Sequence, residues 1–171
     1  MTALADTVRR AHARVHETFA ARDQSPEAWA AWQDAAADFH KTLAVMYGSS
    51  TFDERIADIR KGDPTSVGKA ITFLEVDPWC FGAGYVKERL ISSLKGVDLD
   101  PRQVDRLTMA FGRVAMDNRG RRELRDWCRL ASSQLDLSSL RRVFGELATS
   151  PEPRLRLKGE WLLRELPERE A

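Results

Sequence analysis

Three groups of side chains in this chain have types and spacings that bear on chemistry. His12 and His16 stand four apart, on one face of any helix that holds them. If the first two helices fold back on each other, His40 comes within about a turn of the pair. Two imidazoles at i and i+4 make half of a zinc site. The metalloprotease pattern needs Glu directly after the first His, and Ala13 stands there. The three histidines are therefore read as solvent-facing or edge-of-core, and no metal or other cofactor is expected. Gly82-x-Gly84-x-x-Lys87 opens a helix. Free N–H groups at a helix start attract anions, and a nearby lysine would help. No strand precedes it, and the spacing matches neither the dinucleotide fingerprint nor the phosphate-binding loop. The glycines are read instead as a sharp turn over which aromatic neighbours close.

The third group is Arg122, Arg125 and Arg129, spaced i, i+3, i+7. At 100° per residue they lie within about 60° of each other on a helix. Leu124, Trp127, Cys128 and Ala131 take the opposite side. One face is thus core and the other guanidinium-rich. The bland reading is a solvated face laced by Arg119–Glu123 and Arg122–Asp126 pairs, worth about 0.3–0.5 kcal/mol each. The functional reading is a surface for an anionic partner, either an acidic protein patch or a nucleic-acid backbone. Cys80 and Cys128, the only cysteines, belong to no CxxC pair and sit among apolar residues. They are read as reduced core thiols.

The densest window is Phe73–Leu90, FLEVDPWCFGAGYVKERL, with four aromatic residues, two glycines and a proline in one joint between helical segments. Trp79, Phe81 and Tyr85 are expected to face the core there, stacking one helical unit on the next. With Arg122, Arg125 and Arg129 they also make the candidate partner-binding set, because aromatics and arginine are the types enriched at interface hot spots.

The elements that must position these residues are punctuated by caps. Ser25-Pro26, Asp63-Pro64, Asp100-Pro101 and Ser150-Pro151 each put a capping side chain before a proline at the first helical position. Thr51 with Glu54 reads as a capping box. Gly48, Gly62 and Gly96 fall where a left-handed stop is wanted. Between these marks the apolar spacing is helical throughout. Leu4, Val8, Ala11, Val15 and Phe19 make one stripe, and Trp29, Trp32, Ala36, Phe39, Leu43 and Met46 a second. About nine helices follow, with no alternating run that reads as a strand. From residue 51 on, starts near 52, 64, 84, 101, 121, 137 and 151 give a two-helix unit repeating at roughly 30–40 residues, the signature of an α-solenoid. The expected fold is a single all-α domain over 1–171. A HEAT-like stack of helical pairs spans 51–166, and an antiparallel helical hairpin at 1–48 caps it.

A chain of 171 residues with a net charge of +1 has a core large enough to need no metal or disulfide, and no global pull toward nucleic acid or acidic membranes. The first hundred residues carry 12 Lys/Arg against 15 Asp/Glu, and the rest 15 against 11. That mild asymmetry suits a solvated helical surface as well as a binding face. The N-terminal stretch lacks the uninterrupted apolar run of a secretory signal, so a cytoplasmic location is expected.

Phe73–Leu90 and the segment RRELRDWCRLA at Arg121–Ala131 resemble a group of short bacterial proteins with a HEAT-like helical fold. The resemblance rests on Trp79 and Phe81 after the Asp-Pro step, on Gly84-Tyr85, and on Trp127-Cys128-Arg129-Leu130. It covers about residues 40–166, and departs at Gly82, where a larger polar residue is expected. It implies a helical repeat and no catalytic residue. The expected function is therefore non-catalytic: a scaffold that binds another protein, of unspecified identity, on one face. Two alternatives stand beside it. One is a bacterial immunity or antitoxin protein that covers a cognate toxin's active site. The other is a DNA-associated helical-repeat protein, for which a net charge of +1 is weak support.

Overall fold

The computed structural model describes residues 3–47, 52–78 and 83–167. Among the described residues the chain is all-helical, without a strand. Its nine helices are α1 (Ala3–Phe19), α2 (Pro26–Tyr47), α3 (Phe52–Arg60), α4 (Pro64–Val76), α5 (Ala83–Leu94), α6 (Pro101–Met116), α7 (Leu124–Gln134), α8 (Leu137–Ala148) and α9 (Pro153–Glu165). None of them is long and apolar enough to cross a membrane. Gly48, Thr51, Trp79, Cys80, Phe81 and Gly82 lie outside the described residues.

Local chemistry sets the helix starts. The carboxylates of Asp63 and Asp100 accept from the backbone N–H of Ser66 at 2.8 Å and of Gln103 at 2.9 Å. Each is followed by a proline, whose missing N–H is no loss in the first turn. The Gln103 side chain accepts from the Asp100 N–H in return, which closes a capping box. Ser25 accepts from the Ala28 N–H at 3.2 Å ahead of Pro26.

Two expected starts move. α9 begins at Pro153 rather than Pro151, because Glu152 accepts from the Leu155 N–H at 2.8 Å and takes over the cap. α7 begins at Leu124 rather than near 121, and its N-cap Glu123 makes no side-chain cap bond. Gly62 provides the left-handed stop after α3, with φ +78°. Gly96 has no positive φ, so the left-handed stop expected there is corrected. The turn after α5 closes instead through the Val97 N–H on the Leu94 carbonyl at 3.1 Å.

The packing is regular. α1 lies along α2, and both rest on α4. From α3 onward each helix packs on the one two places further along the chain: α3 on α5, α4 on α6, α5 on α7, α6 on α8 and α7 on α9. Buried apolar side chains from all nine helices form one cluster, running from Val8 to Leu162. Near its centre Phe111 of α6 stacks on Trp127 of α7, with ring centroids 5.3 Å apart and planes 7° from parallel. Phe111 also meets Phe144 of α8 edge-on at 5.2 Å. Such aromatic pairs add about 0.5–1.5 kcal/mol each beyond the area they bury.

Leu124, Trp127, Cys128 and Ala131 are all buried, as their spacing predicts. The ends of the first two stripes are not: Phe19 is 48% exposed and Trp29 43%. Among the described side chains of α1 and α2 the buried ones are Val8, Ala35 and Phe39, and the Phe19–Trp29 end extends past them. The Cys128 thiol is free and buried, and burial pushes its pKa up to about 12. It is an inert core group rather than a nucleophile.

Candidate functional site

The junction between α4 and α5 is built over a buried ionic network. Asp77, the C-cap of α4, takes a left-handed conformation at φ 51°, ψ 53°, and its N–H donates to the Phe73 carbonyl. Aspartate tolerates this region better than most side chains. Its carboxylate accepts from Lys87 at 2.6 Å and from both terminal nitrogens of Arg121, at 3.0 and 2.6 Å. The paired bonds are the fork that guanidinium makes with carboxylate.

Lys87 takes an inward seat on α5, in step with Ala83, Leu90, Ile91 and Leu94, and is only 1% exposed. Glu123 is 2% exposed, with Oε1 3.7 Å from the Lys87 ammonium and 3.5 Å from the Arg121 guanidinium. That oxygen has no hydrogen-bond partner, so its contribution is charge. Asp117, just past α6, accepts from Arg121 and from Arg119. Lys158 of α9 donates to the backbone carbonyls of Ala115 and Asp117. Four separate stretches of chain, at Asp77, Lys87, residues 115–123 and Lys158, are thereby tied together.

An exposed layer lies over this base. Arg122 runs its stem across Gly84: a Cβ on that glycine would stand 3.1 Å from the Arg122 Cδ and 3.2 Å from its Cγ. The guanidinium then sits 4.0 Å from the centre of the Tyr85 ring and donates to Glu88. Tyr85 is 61% exposed, which corrects the expectation that it faces the core. The inward positions of α5 are Ala83, Lys87, Leu90, Ile91 and Leu94, and Tyr85 falls on the other side of the helix.

Arg122, Arg125 and Arg129 are exposed, as their spacing predicts. The ion pairs expected among them are corrected. Residues 119–123 precede α7, so no helical i, i+4 geometry exists there. Arg119 pairs with Asp117, Arg122 with Glu88, and Arg129 with Asp126 at 3.4 Å. Arg125 has no ion pair among the described residues. Trp79 and Phe81 lie outside the described residues, so Tyr85 is the one aromatic of the candidate set with a described position.

The network has a pH signature. Burial alone would raise the pKa of Asp117, but hydrogen bonds from Arg119 and Arg121 hold it well below the usual carboxylate range. Asp136, the N-cap of α8, is held at about 2 by Ser138 and Ser139. A depressed folded pKa stabilises fully above the unfolded value near 3.8, and that stability is lost as pH falls through the folded pKa. The melting midpoint is thus expected to hold between about pH 7 and pH 5 and to drop below about pH 4. Asp117→Asn should melt lower at neutral pH, with the gap to the wild type closing toward pH 2. Circular-dichroism melts across that range check this. A gap that stays constant would show that Asp117 does not contribute to the acid limb.

The other groups with chemical potential are accounted for by packing. Lys87, the lysine of the glycine-rich helix start, is buried against carboxylates and unable to meet an anion from solvent. His12 and His16 meet at 3.0 Å between their Nε2 atoms, and His12 lies 5.7 Å from the Phe39 ring. Among the described residues no group of three or more His, Cys, Asp or Glu side chains could hold a metal ion. No protein-family model, curated protein or solved structure matches this chain.

Proposed function

We propose that this chain is a non-catalytic helical-repeat module that holds another protein against the face formed by α5 and α7. In this reading it is one domain, with residues 1–48 as an antiparallel hairpin that caps a HEAT-like stack over 51–166. The packing of each helix on the one two places along is what a solenoid of two-helix units requires. One observation carries the binding assignment. Tyr85 and Arg122 stand exposed and already fixed against each other, over a base of buried charges. An aromatic and a guanidinium held in place before contact lose little side-chain freedom on binding, which favours affinity. Arg125 and Arg129 extend the face and make it basic, so the fitting partner surface is acidic.

A pull-down with the intact protein, read by mass spectrometry, tests this. The expected result is a protein retained by the wild type and lost from both Tyr85→Ala and Arg125→Glu, with melting midpoints of the two variants within a few degrees of wild type. Retention that is indifferent to both substitutions would move the binding site elsewhere.

A further inference from the structure

Packing seats His12 and His16 on successive turns of α1, and it brings two metal-ligating nitrogens together there. Their Nε2 atoms lie 3.0 Å apart, and the rings meet edge-on with centroids 4.5 Å apart. The contact is a hydrogen bond in which one Nε2–H donates to the other Nε2. His12 is half-buried, and its ring lies 5.7 Å from that of the buried Phe39 of α2, which limits how far it can swing. His16 is exposed, so the pair opens to solvent on one side. Ala20, the next position in that row of the helix, is exposed and small.

The separation of the two nitrogens selects a coordination geometry. With metal–nitrogen bonds of about 2.0–2.1 Å, ligands 3.0 Å apart subtend about 90–100° at the metal. A tetrahedral ion asks for about 109°, and so for nitrogens about 3.3–3.4 Å apart. The observed pair fits the cis positions of a square-planar or tetragonal ion, the preference of copper(II) and nickel(II). The surrounding charge permits a cation. Arg9 and Arg14 on the same helix are offset by Asp6 at 3.1 Å and Asp38 at 3.0 Å. His16 stands in the last turn of α1, where the partial negative charge of the helix end favours a positive ion. No third His, Cys, Asp or Glu joins the pair among the described residues, so solvent completes the coordination sphere. We infer that His12 and His16 form a two-imidazole chelate for a divalent transition-metal ion of tetragonal preference, copper(II) before nickel(II) and nickel(II) before zinc. On binding, the donor ring gives up its Nε2 proton and takes one from solvent on Nδ1. Both Nε2 lone pairs then go to the metal with no net release of protons. The bound ion would bridge one full turn and pin the end of α1. This inference concerns a different helix from the α5–α7 reading and does not rest on it.

Titration of the full chain with copper(II) chloride, followed by calorimetry and electron paramagnetic resonance, tests it. One equivalent per chain is expected, with a tetragonal signal split by two imidazole nitrogens. His12→Gln and His16→Gln should each weaken copper by more than about tenfold, since even the loss of an outer-shell partner costs that much. His40→Gln should change nothing. His16 is exposed, so His16→Gln reads the site even if His12→Gln disturbs the packing on Phe39. Nickel(II) should displace copper at lower concentration than zinc does. Copper affinity unchanged by His16→Gln overturns the inference, because the ion is then held elsewhere on the chain. Zinc bound more tightly than nickel overturns the cis geometry and the inference with it. One ion per two chains, with dimerisation that needs both histidines, replaces the chelate with a bridge between copies and overturns it too.

Discussion

Replacing Arg121 with methionine is expected to cost about 3–5 kcal/mol, the range found when one member of a buried ionic group is removed. For a chain of this length that lowers the melting midpoint by roughly 10 °C. The Arg121 side chain is 1% exposed and faces three carboxylates: Asp77 through two hydrogen bonds, Asp117 through another, and Glu123 at 3.5 Å. Methionine matches the length of the stem but returns none of those contacts. The carboxylates would then keep Lys87, Arg119 and, beside Asp117, the Lys158 ammonium, in a place where water reaches Glu123 hardly at all. Arg125→Met is the control, since that guanidinium is exposed and has no ion pair among the described residues, and its loss should stay within about 0.5 kcal/mol. A double-mutant cycle of Arg121→Met with Asp117→Asn should show coupling: the second loss is smaller once the first has been made. Denaturant melts measure both. An Arg121→Met midpoint indistinguishable from that of Arg125→Met would mean that the network contributes no net stability.

That network is also the part of the molecule that the sequence conceals. The helices are legible because their signals are local. Asp63-Pro64 and Asp100-Pro101 place cap and proline side by side, and the apolar spacing continues from there. α7 starts late because its N-cap, Glu123, makes no cap bond and turns inward to Lys87 and Arg121. α9 starts late because Glu152-Pro153 repeats the signal of Ser150-Pro151 two residues on, and the carboxylate wins the cap. Nothing local marks Asp77 as the centre of a charge cluster. Its partners lie 10 and 44 residues away, and its left-handed backbone is a role that sequence patterns assign to glycine. Lys87 is misleading for the same reason. Beside Gly82 and Gly84 it looks like an anion ligand, and only the packing of α5 on α7 shows that its charge is already spoken for. The arginine face is legible because 3.6-residue periodicity separates it from Trp127 and Cys128. The face that Tyr85 takes is less so, since α5 buries a lysine where an apolar residue is expected and the stripe shifts accordingly.

The second large effect is expected at Gly159, and its sign is opposite to that expected at Gly68 and Gly145. Glycine inside a helix is normally a weak point, and alanine gains about 0.5–1 kcal/mol by reducing the freedom of the unfolded chain. Gly68 in α4 and Gly145 in α8 have no heavy atom within 4 Å of where a Cβ would stand, so alanine there should stabilise. At Gly159 the added Cβ would lie 2.4 Å from the Ala148 nitrogen, 2.7 Å from the Leu147 carbonyl carbon and 2.8 Å from the Leu147 Cβ. Two of those atoms are backbone, at the end of α8, and no rotamer change moves them aside. α9 must back away from α8, loosening the packing of Leu147 and Leu162. Overpacking of this kind costs about 1–3 kcal/mol and exceeds what alanine's helix propensity returns. Gly159→Val should cost still more, since a branched side chain adds two methyl groups at the point of closest approach. The displacement would also draw Lys158, the preceding residue, away from the carbonyls of Ala115 and Asp117, so it should reach the ionic network. Urea melts of Gly68→Ala, Gly145→Ala and Gly159→Ala give the comparison directly, the first two rising and the third falling. A Gly159→Ala midpoint that rises with the others would mean that α9 does not approach α8 at this residue, and the seat of Lys158 on the end of α6 would have to be redrawn with it.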